Sequence, residues 1–337
     1  MKKNKKKIIC CVAGRSGGHI IPCLTIAQRM LRSQDDSIMF FSTSTELDAE
    51  ILKNYPTIQQ QASLNMMNVP YKNLWKFPLF LGQFIVSFFK TFVTLIHHRP
   101  ERILSTGGYV ALPVCFAAKL LFIPIDIYEL NVIPGKATKL LAHIASNIFI
   151  CFSETASYFS QKTILTRYPI RFSESTTQTT SEAPFDTYSS TKKTILILGG
   201  SQGSHFINQQ VCQLVSLYGP TIQIIHQTGT EHVDLLKKFY ADLGIQSEVF
   251  AYQQNLAPYY AIADVVICRS GAGTLFETLF FKKPCITIPL ETYTTNHQLE
   301  NAQALQKDYP ELFSVIRQKE LQQDPLQLFK MVSHYLG

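Results

Sequence analysis

The feature that most constrains this chain is the stretch 263–302, in which apolar strands alternate with turns of small residues that open helices. Asp264–Cys268 predicts a buried strand, residues 269–274 form the turn, and the following helix carries Glu277. Strands that are apolar throughout are typical of parallel sheets covered on both faces. Such sheets bind their ligands beyond the carboxyl ends of the strands. The stretch therefore predicts an α/β fold with a binding crevice at that end.

The polar residues of this stretch indicate which ligand the crevice binds. Ser270–Thr274 directs backbone N–H groups and a helix dipole at an anion. Glu277 lies one turn further along the helix, where a carboxylate repels phosphate and suits the two hydroxyls of a ribose instead. The loop after the next strand leads to three polar residues, His297, Gln298 and Asn301. We expect a nucleotide diphosphate site in which these three residues recognise the group that the diphosphate carries.

The strand–turn–helix pattern occurs in both halves of the chain. The first half begins with the strand Ile8–Val12 and a glycine-rich turn, and the second half restarts with Thr194–Leu198 and the turn Gly199–Ser204. We therefore predict two α/β domains, each with a parallel sheet, joined by a linker rich in Ser and Thr. The expected limits are 1–170 for the first domain, 171–193 for the linker, 194–323 for the second domain and 324–337 for a last helix that packs back on the first domain.

The first domain has its own candidate site at the predicted strand ends. His19 would lie at the N-terminus of the first helix and face the crevice, where an imidazole can serve as a base. Gly107–Tyr109, Glu129 and Asn131 follow later strands, so we expect them at the same mouth. The alternatives are a surface histidine that packs against its turn and helix capping by the other residues. Several such residues on consecutive strands favour a site.

Charge and cysteine content narrow the range of partners. The net charge of +7 at pH 7 indicates an anionic partner. The run Lys2–Lys7 supplies a good part of that charge, which argues against nucleic acid. The eight cysteines lack metal-ligand spacing, and most fall in apolar runs, which predicts reduced thiols in a cytosolic compartment. We expect neither a metal site nor a cofactor.

One apolar stretch, Phe77–Ile96, is about as long as a bilayer span. Pro78, Gln83 and Lys90 interrupt it, and basic residues flank it on both sides. Two interpretations remain: a transmembrane helix, or a helix that lies half in the core and half in the membrane interface. The interruptions favour the second.

A set of motifs runs through nearly the whole chain: Gly14–His19, Thr106–Tyr109, Glu129–Asn131, Pro169–Arg171, Gly199–Ser204, His226–Gly229, Arg269–Glu277 and His297–Ala302. Together they resemble the MurG family of bacterial glycosyltransferases. That family transfers N-acetylglucosamine from UDP-N-acetylglucosamine to the lipid-linked muramoyl-pentapeptide of cell-wall synthesis. The resemblance implies a GT-B fold, in which two Rossmann-like, doubly wound domains face across a cleft. It also implies inverting, metal-independent transfer to the muramoyl 4-hydroxyl.

The resemblance further implies roles for individual residues. His19 is similar to the family's general base. The residues expected to bind the UDP-sugar donor are Arg171, Ser201, Gln202, Tyr252, Gln253, Ala272, Gly273, Thr274, Glu277, His297 and Gln298. The residues expected to bind the lipid-linked acceptor are Ser16, Gly17, Gly18, Gly107, Gly108, Tyr109, Glu129 and Asn131. The segment Leu74–Phe89 resembles the family's membrane-docking patch, which implies an anionic membrane surface as partner and a peripheral location on the cytoplasmic face of the bacterial membrane.

The chain departs from the family pattern at a few positions that concern the acceptor more than the donor. Leu130 replaces a polar residue, which predicts the loss of one contact at the acceptor mouth, and Thr295 and Asn296 stand where an acidic residue is usual. Three alternatives remain: another lipid-directed transferase of this fold, such as a diacylglycerol glycosyltransferase, a non-hydrolytic UDP-sugar epimerase, and a non-catalytic UDP-sugar-binding subunit. The lack of carboxylates near His19 argues against the epimerase. An intact donor set argues against the binding subunit.

Overall fold

Two parallel β-sheets organise the chain in the computed structural model, which describes residues 7–14, 17–70, 73–173, 188–200, 202–291 and 297–337. The chain divides into two units, residues 1–171 and 172–337, and each unit holds one of the sheets. Residues 174–187, the larger part of the predicted linker, lie outside the described residues. The predicted limits of the linker therefore stay a prediction.

The first unit is built on a seven-stranded sheet. Its strands are β1 (Ile8–Val12), β2 (Ser37–Thr43), β3 (Ile58–Leu64), β4 (Arg102–Ser105), β5 (Ile125–Glu129), β6 (Asn147–Ile150) and β7 (Thr163–Leu165). Its α-helices are α1 (Gly17–Met30), α2 (Glu46–Lys53), α3 (Phe77–His98), α4 (Ala111–Leu120) and α5 (Lys136–Leu141). The strand order is β3-β2-β1-β4-β5-β6-β7, and every pairing is parallel.

The second unit is built on a six-stranded sheet. Its strands are β8 (Lys193–Leu198), β9 (Ile222–Gln227), β10 (Gln246–Phe250), β11 (Val265–Cys268), β12 (Cys285–Thr287) and β13 (Phe313–Val315). Its α-helices are α6 (His205–Tyr218), α7 (Val233–Asp242), α8 (Ala257–Ile262), α9 (Ala272–Phe280), α10 (His297–Asp308), α11 (Gln318–Gln323) and α12 (Leu326–Leu336). The order is β10-β9-β8-β11-β12-β13, again parallel throughout.

Both sheets contain the Rossmann strand order, in which winding reverses after the third strand. The reversal lies between β1 and β4 in the first sheet and between β8 and β11 in the second. Beyond the carboxyl ends of those strands the two flanking turns diverge and leave a crevice, which is where ligands of this fold bind. The predicted fold class, two doubly wound parallel-sheet α/β units, is confirmed.

The apolar character of the strands follows from their burial on both faces. In β1, Cys10 and Val12 belong to one buried cluster, and the alternating residues Ile9 and Cys11 belong to another on the opposite face. Side chains alternate between faces along a strand, so a strand covered on both faces must be apolar at every position. Burial also makes Cys151 a poor nucleophile, because desolvation raises the pKa of its thiol to about 12.

Helix α3 differs from the other helices in its exposure. Within the described residues, the segment 74–98 is the one helix long and apolar enough to cross a membrane; its mean hydropathy is 1.8 and 22% of the apolar window is buried. Length and composition do not distinguish a membrane span from a helix that lies along a membrane surface. The large exposed apolar side chains of α3 are considered below.

The last helix, α12, packs on the core of the second unit. Leu328 and Val332 are buried there, the Phe329 ring lies 4.9 Å from that of Tyr218, and the Tyr218 and Ser333 hydroxyls are 2.6 Å apart. These contacts hold the helix against α6. The expected contact of this helix with the first domain stays a prediction.

Candidate active site

His19 lies at the winding reversal of the first sheet. It is the third residue of α1, half-buried, and its Nδ1 lies 2.7 Å from the backbone oxygen of Thr106, just beyond β4. The Thr106 hydroxyl donates in return to the His19 carbonyl at 2.8 Å. A carbonyl oxygen can only accept, so Nδ1 carries the proton and a neutral ring has its lone pair on Nε2. The pair of bonds thus fixes both the tautomer and the orientation of the ring.

The turn after β4 approaches this ring closely because it consists of glycine. Gly107 has φ +103° and Gly108 has φ +86°, in the region that favours glycine. A Cβ on Gly107 would lie 3.1 Å from the Thr138 hydroxyl oxygen and 3.7 Å from His19 Cε1. Tyr109 is half-buried and packs against the core beside this turn. A side chain at Gly107 would therefore contact both Thr138 and the His19 ring.

Glu129 holds the next loop together with both carboxylate oxygens. Its Oε1 accepts from the backbone N–H groups of Leu130 and Asn131 at 3.0 and 3.1 Å and from the Asn131 side chain at 3.2 Å; its Oε2 accepts from the Gly135 N–H at 3.1 Å. The residue is 2% exposed. Four donors for one buried carboxylate compensate its charge. This geometry gives Glu129 a positioning function for Asn131, and its direct contact with an acceptor stays a prediction.

In the second unit, the turns after β8 and β9 touch through glycines. Gly203 has φ +76°, and a Cβ there would lie 2.1 Å from the Thr228 carbonyl oxygen. Gly229 has φ +81°, and its added Cβ would lie 2.5 Å from the Gln202 carbonyl oxygen. Both separations are far shorter than van der Waals contact, so each position requires glycine. The two backbones form one compact surface, with Gln202 exposed beside it.

Arg269 bridges the winding reversal of the second sheet. Its guanidinium donates from Nη2 and Nε to the Ser204 hydroxyl oxygen at 2.7 and 3.1 Å, and from Nη1 to the carbonyl oxygens of Ile288 and Pro289 at 3.1 and 3.3 Å. The side chain is buried, and desolvation lowers its pKa to about 10. It therefore remains charged at neutral pH, and its acceptors are all uncharged. The result is a buried positive charge beside a glycine-rich turn, which favours a bound anion.

The helix after β11 adds a second anion-binding element. Helix α9 begins at Ala272 after Gly271, which provides no side-chain cap. The N–H groups of Ala272, Gly273 and Thr274 belong to the first turn, where the helix itself provides no acceptor. Glu277 follows one turn later and is half-buried. Free amides, a helix dipole and the Arg269 charge together suit a diphosphate.

Each half of the chain is similar to a domain of a known protein family. The models of the glycosyltransferase family 28 N-terminal and C-terminal domains match residues 9–150 and 194–336. The UDP-N-acetylglucosamine–N-acetylmuramyl-(pentapeptide) pyrophosphoryl-undecaprenol N-acetylglucosamine transferase of Myxococcus xanthus is 31% identical over 88% of this chain and 77% of its own length. The enzyme of the same name from Thermosipho africanus is 31% identical over 94% of this chain and 89% of its own length.

The chain belongs to the MurG family of glycosyltransferases. The crystal structure of Acinetobacter baumannii MurG superposes with a TM-score of 0.74 over 99% of this chain and 91% of that one, at 23% identity. That likeness confirms the GT-B fold. The predicted family and the predicted enzyme class, glycosyltransferase, are both confirmed.

Gln253 and Tyr252, two of the residues predicted to bind the donor, lie on the loop after β10. The Gln253 N–H donates to the Gln227 side-chain oxygen at 3.3 Å, and the Gln227 side-chain nitrogen donates to the Gly200 carbonyl at 2.8 Å. Gln227 thereby ties the loop that carries Tyr252, which is 39% exposed, to the glycine turn. The sequence did not predict a function for Gln227, because Gln227 connects two loops that come together only in the folded chain.

Other predicted donor residues have contacts of their own. The Gln298 side-chain oxygen accepts from the Leu290 N–H at 2.9 Å, so Gln298 anchors the start of α10 to the segment after β12. His297 is half-buried at that helix start, and Arg171 is half-buried at the end of the first unit. Their functions stay predictions.

Four residues named in the sequence analysis lie outside the described residues. They are the predicted site residues Ser16 and Ser201, and Thr295 and Asn296, which stand where the family usually has an acidic residue. Gly17 and Gly18 form the first residues of α1. Leu130 is 1% exposed, so this departure from the MurG pattern falls in the interior and leaves the polar surface of Asn131 in place.

His226, the first residue of the motif His226–Gly229, is buried in β9 and has a structural function. Its Nε2 donates to Asn208 Oδ1 at 3.1 Å, and its Nδ1 accepts from the Tyr240 hydroxyl at 2.8 Å. Desolvation lowers its pKa to about 3. The ring is therefore neutral in the folded protein at neutral and mildly acidic pH.

This burial predicts a loss of stability in mild acid. Because the unfolded chain binds a proton at His226 below about pH 6.5 and the folded chain does not, the free energy of unfolding falls as pH decreases from 6.5. At pH 5 the contribution lost is about 2 kcal/mol, from about 1.5 pH units at 1.36 kcal/mol each. Urea unfolding at pH 7.5 and pH 5 should show this extra loss in the parent and not in His226→Gln, which keeps a donor and an acceptor. Equal losses in both proteins would contradict the assignment.

Proposed function

We propose that this chain transfers N-acetylglucosamine from UDP-N-acetylglucosamine to the 4-hydroxyl of the muramoyl sugar of a pentapeptide-bearing, pyrophosphoryl-undecaprenol-linked acceptor. The names of the relatives from M. xanthus and T. africanus, each 31% identical, support these substrates. The anion-binding features of the second unit fit the diphosphate of the donor.

The observation that carries the proposed chemistry is the hydrogen bond from His19 Nδ1 to the Thr106 carbonyl. It leaves Nε2 as the basic nitrogen. In the proposed step Nε2 takes the proton of the muramoyl 4-hydroxyl while the oxygen attacks the anomeric carbon. The bond between that carbon and the UDP oxygen breaks on the opposite side, so the configuration inverts and UDP leaves with the bonding electrons. A positioned base of this kind contributes about 10²–10⁴-fold.

The leaving group requires compensation of its negative charge. The first-turn amides of α9 and the buried guanidinium of Arg269 supply fixed positive potential. In the proposal, Arg171, Gln202 and Ser201 also bind the diphosphate. Glu277 binds the ribose hydroxyls, and His297 and Gln298 bind the hydroxyls of the sugar. Tyr252 and Gln253 lie by the uracil. In the proposal, these groups compensate the negative charge of the departing UDP without a metal ion.

The proposal includes the membrane. Helix α3 carries exposed apolar residues over several turns, and five Lys or Arg residues without any Asp or Glu occupy positions 51–100. Apolar burial and attraction to anionic lipids act together at a membrane surface. We infer a peripheral location on the cytoplasmic face of the bacterial membrane, with the segment Leu74–Phe89 in contact with the lipids.

Transfer with defined substrates tests the function. Purified protein is given UDP-N-acetylglucosamine with the lipid-linked muramoyl-pentapeptide, with diacylglycerol, or with no acceptor, and UDP release and the glycosylated lipid are measured. We expect both products with the muramoyl lipid alone. Transfer to diacylglycerol would favour the related lipid glycosyltransferases. Conversion of the donor to its epimer without acceptor would favour an epimerase, and donor binding without turnover on any acceptor would favour a binding subunit.

A further inference from the structure

The segment 288–291, which leaves the carboxyl end of β12, orients one of the residues proposed to bind the donor. The carbonyl oxygens of Ile288 and Pro289 accept from Arg269 Nη1 at 3.1 and 3.3 Å. The Ile288 N–H donates to the carbonyl oxygen of Cys268, the residue before Arg269, at 2.8 Å. The orientation of the buried guanidinium therefore depends on the backbone conformation of this segment.

The same segment orients a second donor residue. The Leu290 N–H donates to the Gln298 side-chain oxygen at 2.9 Å, which fixes the Gln298 amide in the first turn of α10. The Leu290 side chain is 42% exposed, so packing in the core contributes little to holding this residue in place. Its backbone position depends instead on the residues on either side of it.

The next residue, Glu291, is held by an arginine from the edge of the sheet. Arg317 lies two residues after β13, and its Nε is 3.1 Å from Glu291 Oε1 and 2.9 Å from Oε2, while its Nη2 also donates to Oε2. A planar guanidinium that contacts both carboxylate oxygens fixes the geometry of a pair as well as its charge. These hydrogen bonds from Arg317 lower the pKa of Glu291, so the pair is ionised at neutral pH.

The backbone of Arg317 is held independently of this ion pair. The Ile316 N–H donates to the Thr287 carbonyl oxygen at 3.1 Å, and the Ile316 side chain is buried in the core of the second unit. The Arg317 N–H donates to the Glu320 carboxylate at 2.9 Å where α11 begins. The arginine is therefore anchored to the core, and its side chain restrains Glu291.

We propose that Arg317 is a positioning residue of the donor site, which acts through its ion pair with Glu291. The pair holds the segment 288–291 in the conformation that directs Arg269 to the diphosphate and Gln298 to the sugar. This assignment rests on the donor-binding functions proposed above for Arg269 and Gln298. Arg317 itself makes no contact with the donor in this arrangement.

Loss of the ion pair should weaken donor binding without slowing the chemical step. The segment would then have to become ordered when the donor binds, and the affinity falls by the cost of that ordering. The two side chains are 35% and 20% exposed, and a pair of this kind contributes about 1 kcal/mol, which corresponds to about fivefold in affinity. Once the donor is bound the segment is in place, so the donor KM should rise while kcat changes by less than about twofold.

A double-mutant cycle on the full chain tests the assignment. Arg317→Ala, Glu291→Ala and the double variant should each bind UDP-N-acetylglucosamine about fivefold more weakly than the parent in calorimetric titration, because each removes the same restraint. Arg317→Lys keeps the charge but lacks the planar fork of donors, so it should recover only part of the affinity. The KM for the lipid-linked acceptor should be the same in all of these proteins.

Lys193→Ala is the matched control. Lys193 pairs with Asp264 at 3.3 Å and is 54% exposed. It lies at the amino end of β8, and Asp264 immediately precedes β11, so this pair is at the opposite end of the sheet from the donor crevice. The variant removes one positive charge and one ion pair from the same unit, and its donor affinity should equal that of the parent.

The outcomes separate this assignment from the function on which it rests. Parental donor affinity in Arg317→Ala, or an equal loss in Lys193→Ala, would overturn the positioning function of Arg317. A loss in Arg317→Ala without one in Glu291→Ala would overturn it as well, because Arg317 would then contact the donor directly. Additive losses in the double variant would show two separate functions in place of one ion pair. A parent that does not bind UDP-N-acetylglucosamine at all would instead remove the proposed function, and this assignment with it.

Discussion

Replacing His19 with alanine should slow transfer by about 10²–10⁴-fold, the usual contribution of a positioned general base. The affinity for UDP-N-acetylglucosamine should be unchanged, because His19 is not among the donor residues of the proposal, and all of these except Arg171 lie in the second unit. The effect should therefore appear in kcat and not in donor binding. Turnover with saturating substrates, together with calorimetric titration of the donor, measures both quantities.

Two variants sharpen the assignment of His19. His143→Ala changes an exposed histidine of the same unit, whose ring bonds the Gln161 side chain, and should retain full activity. Thr106→Val removes the hydroxyl that donates to the His19 carbonyl but keeps the backbone oxygen that accepts from Nδ1, so it should lose far less than His19→Ala. Near-parental turnover of His19→Ala would remove this residue from the chemistry.

Replacing Gly203 with alanine should damage the donor site more than any conservative change elsewhere in the second unit. The added Cβ would lie 2.1 Å from the Thr228 carbonyl oxygen, so the turns after β8 and β9 must separate. The positive φ costs about 1–2 kcal/mol, and displacement of packed backbone adds about 1–3 kcal/mol. We expect the free energy of unfolding to fall by about 2–5 kcal/mol on these grounds, and UDP affinity to fall at least about tenfold.

Gly200→Ala is the matched control for this effect. Gly200 has φ +92°, and a Cβ there meets nothing within 4 Å. It should therefore show only the backbone cost of about 1–2 kcal/mol. Urea unfolding and UDP titration of both variants separate strain from collision. If both variants lose the same stability and the same affinity, contact between the two turns does not organise the donor site.

The local pattern predicted most of the strands well. Ile8–Val12 was predicted and observed with the same limits, because a strand buried on both faces must be apolar throughout. Glycines at Gly107 and Gly203 were recognisable as parts of phosphate-binding or ligand-binding turns. The short edge strands β7 and β13 escaped prediction because each has three residues and is only partly buried, so neither stands out as an apolar run, whereas the equally short β12 is buried throughout.

Contacts between distant segments could not be predicted in this way. The sequence places Glu129 at a strand end, yet only the folded loop shows that both carboxylate oxygens serve four N–H groups of the chain. The sequence placed Arg269 in a motif but predicted no function for this residue itself. Its bond to Ser204, 65 residues earlier in the chain, depends on strand order, which no local signal encodes.

The sequence by itself determined that this chain forms two parallel-sheet α/β halves with small-residue turns at the strand ends, because burial and backbone sterics act over a few neighbouring residues. Tertiary structure alone decided which turns meet. It placed β1 beside β4 and β8 beside β11, so that Thr106 fixes the tautomer of His19 and Ser204 holds the guanidinium of Arg269. The physical reason is that these bonds join segments brought together by sheet winding, and their energies depend on separations in space that are unrelated to separation along the chain.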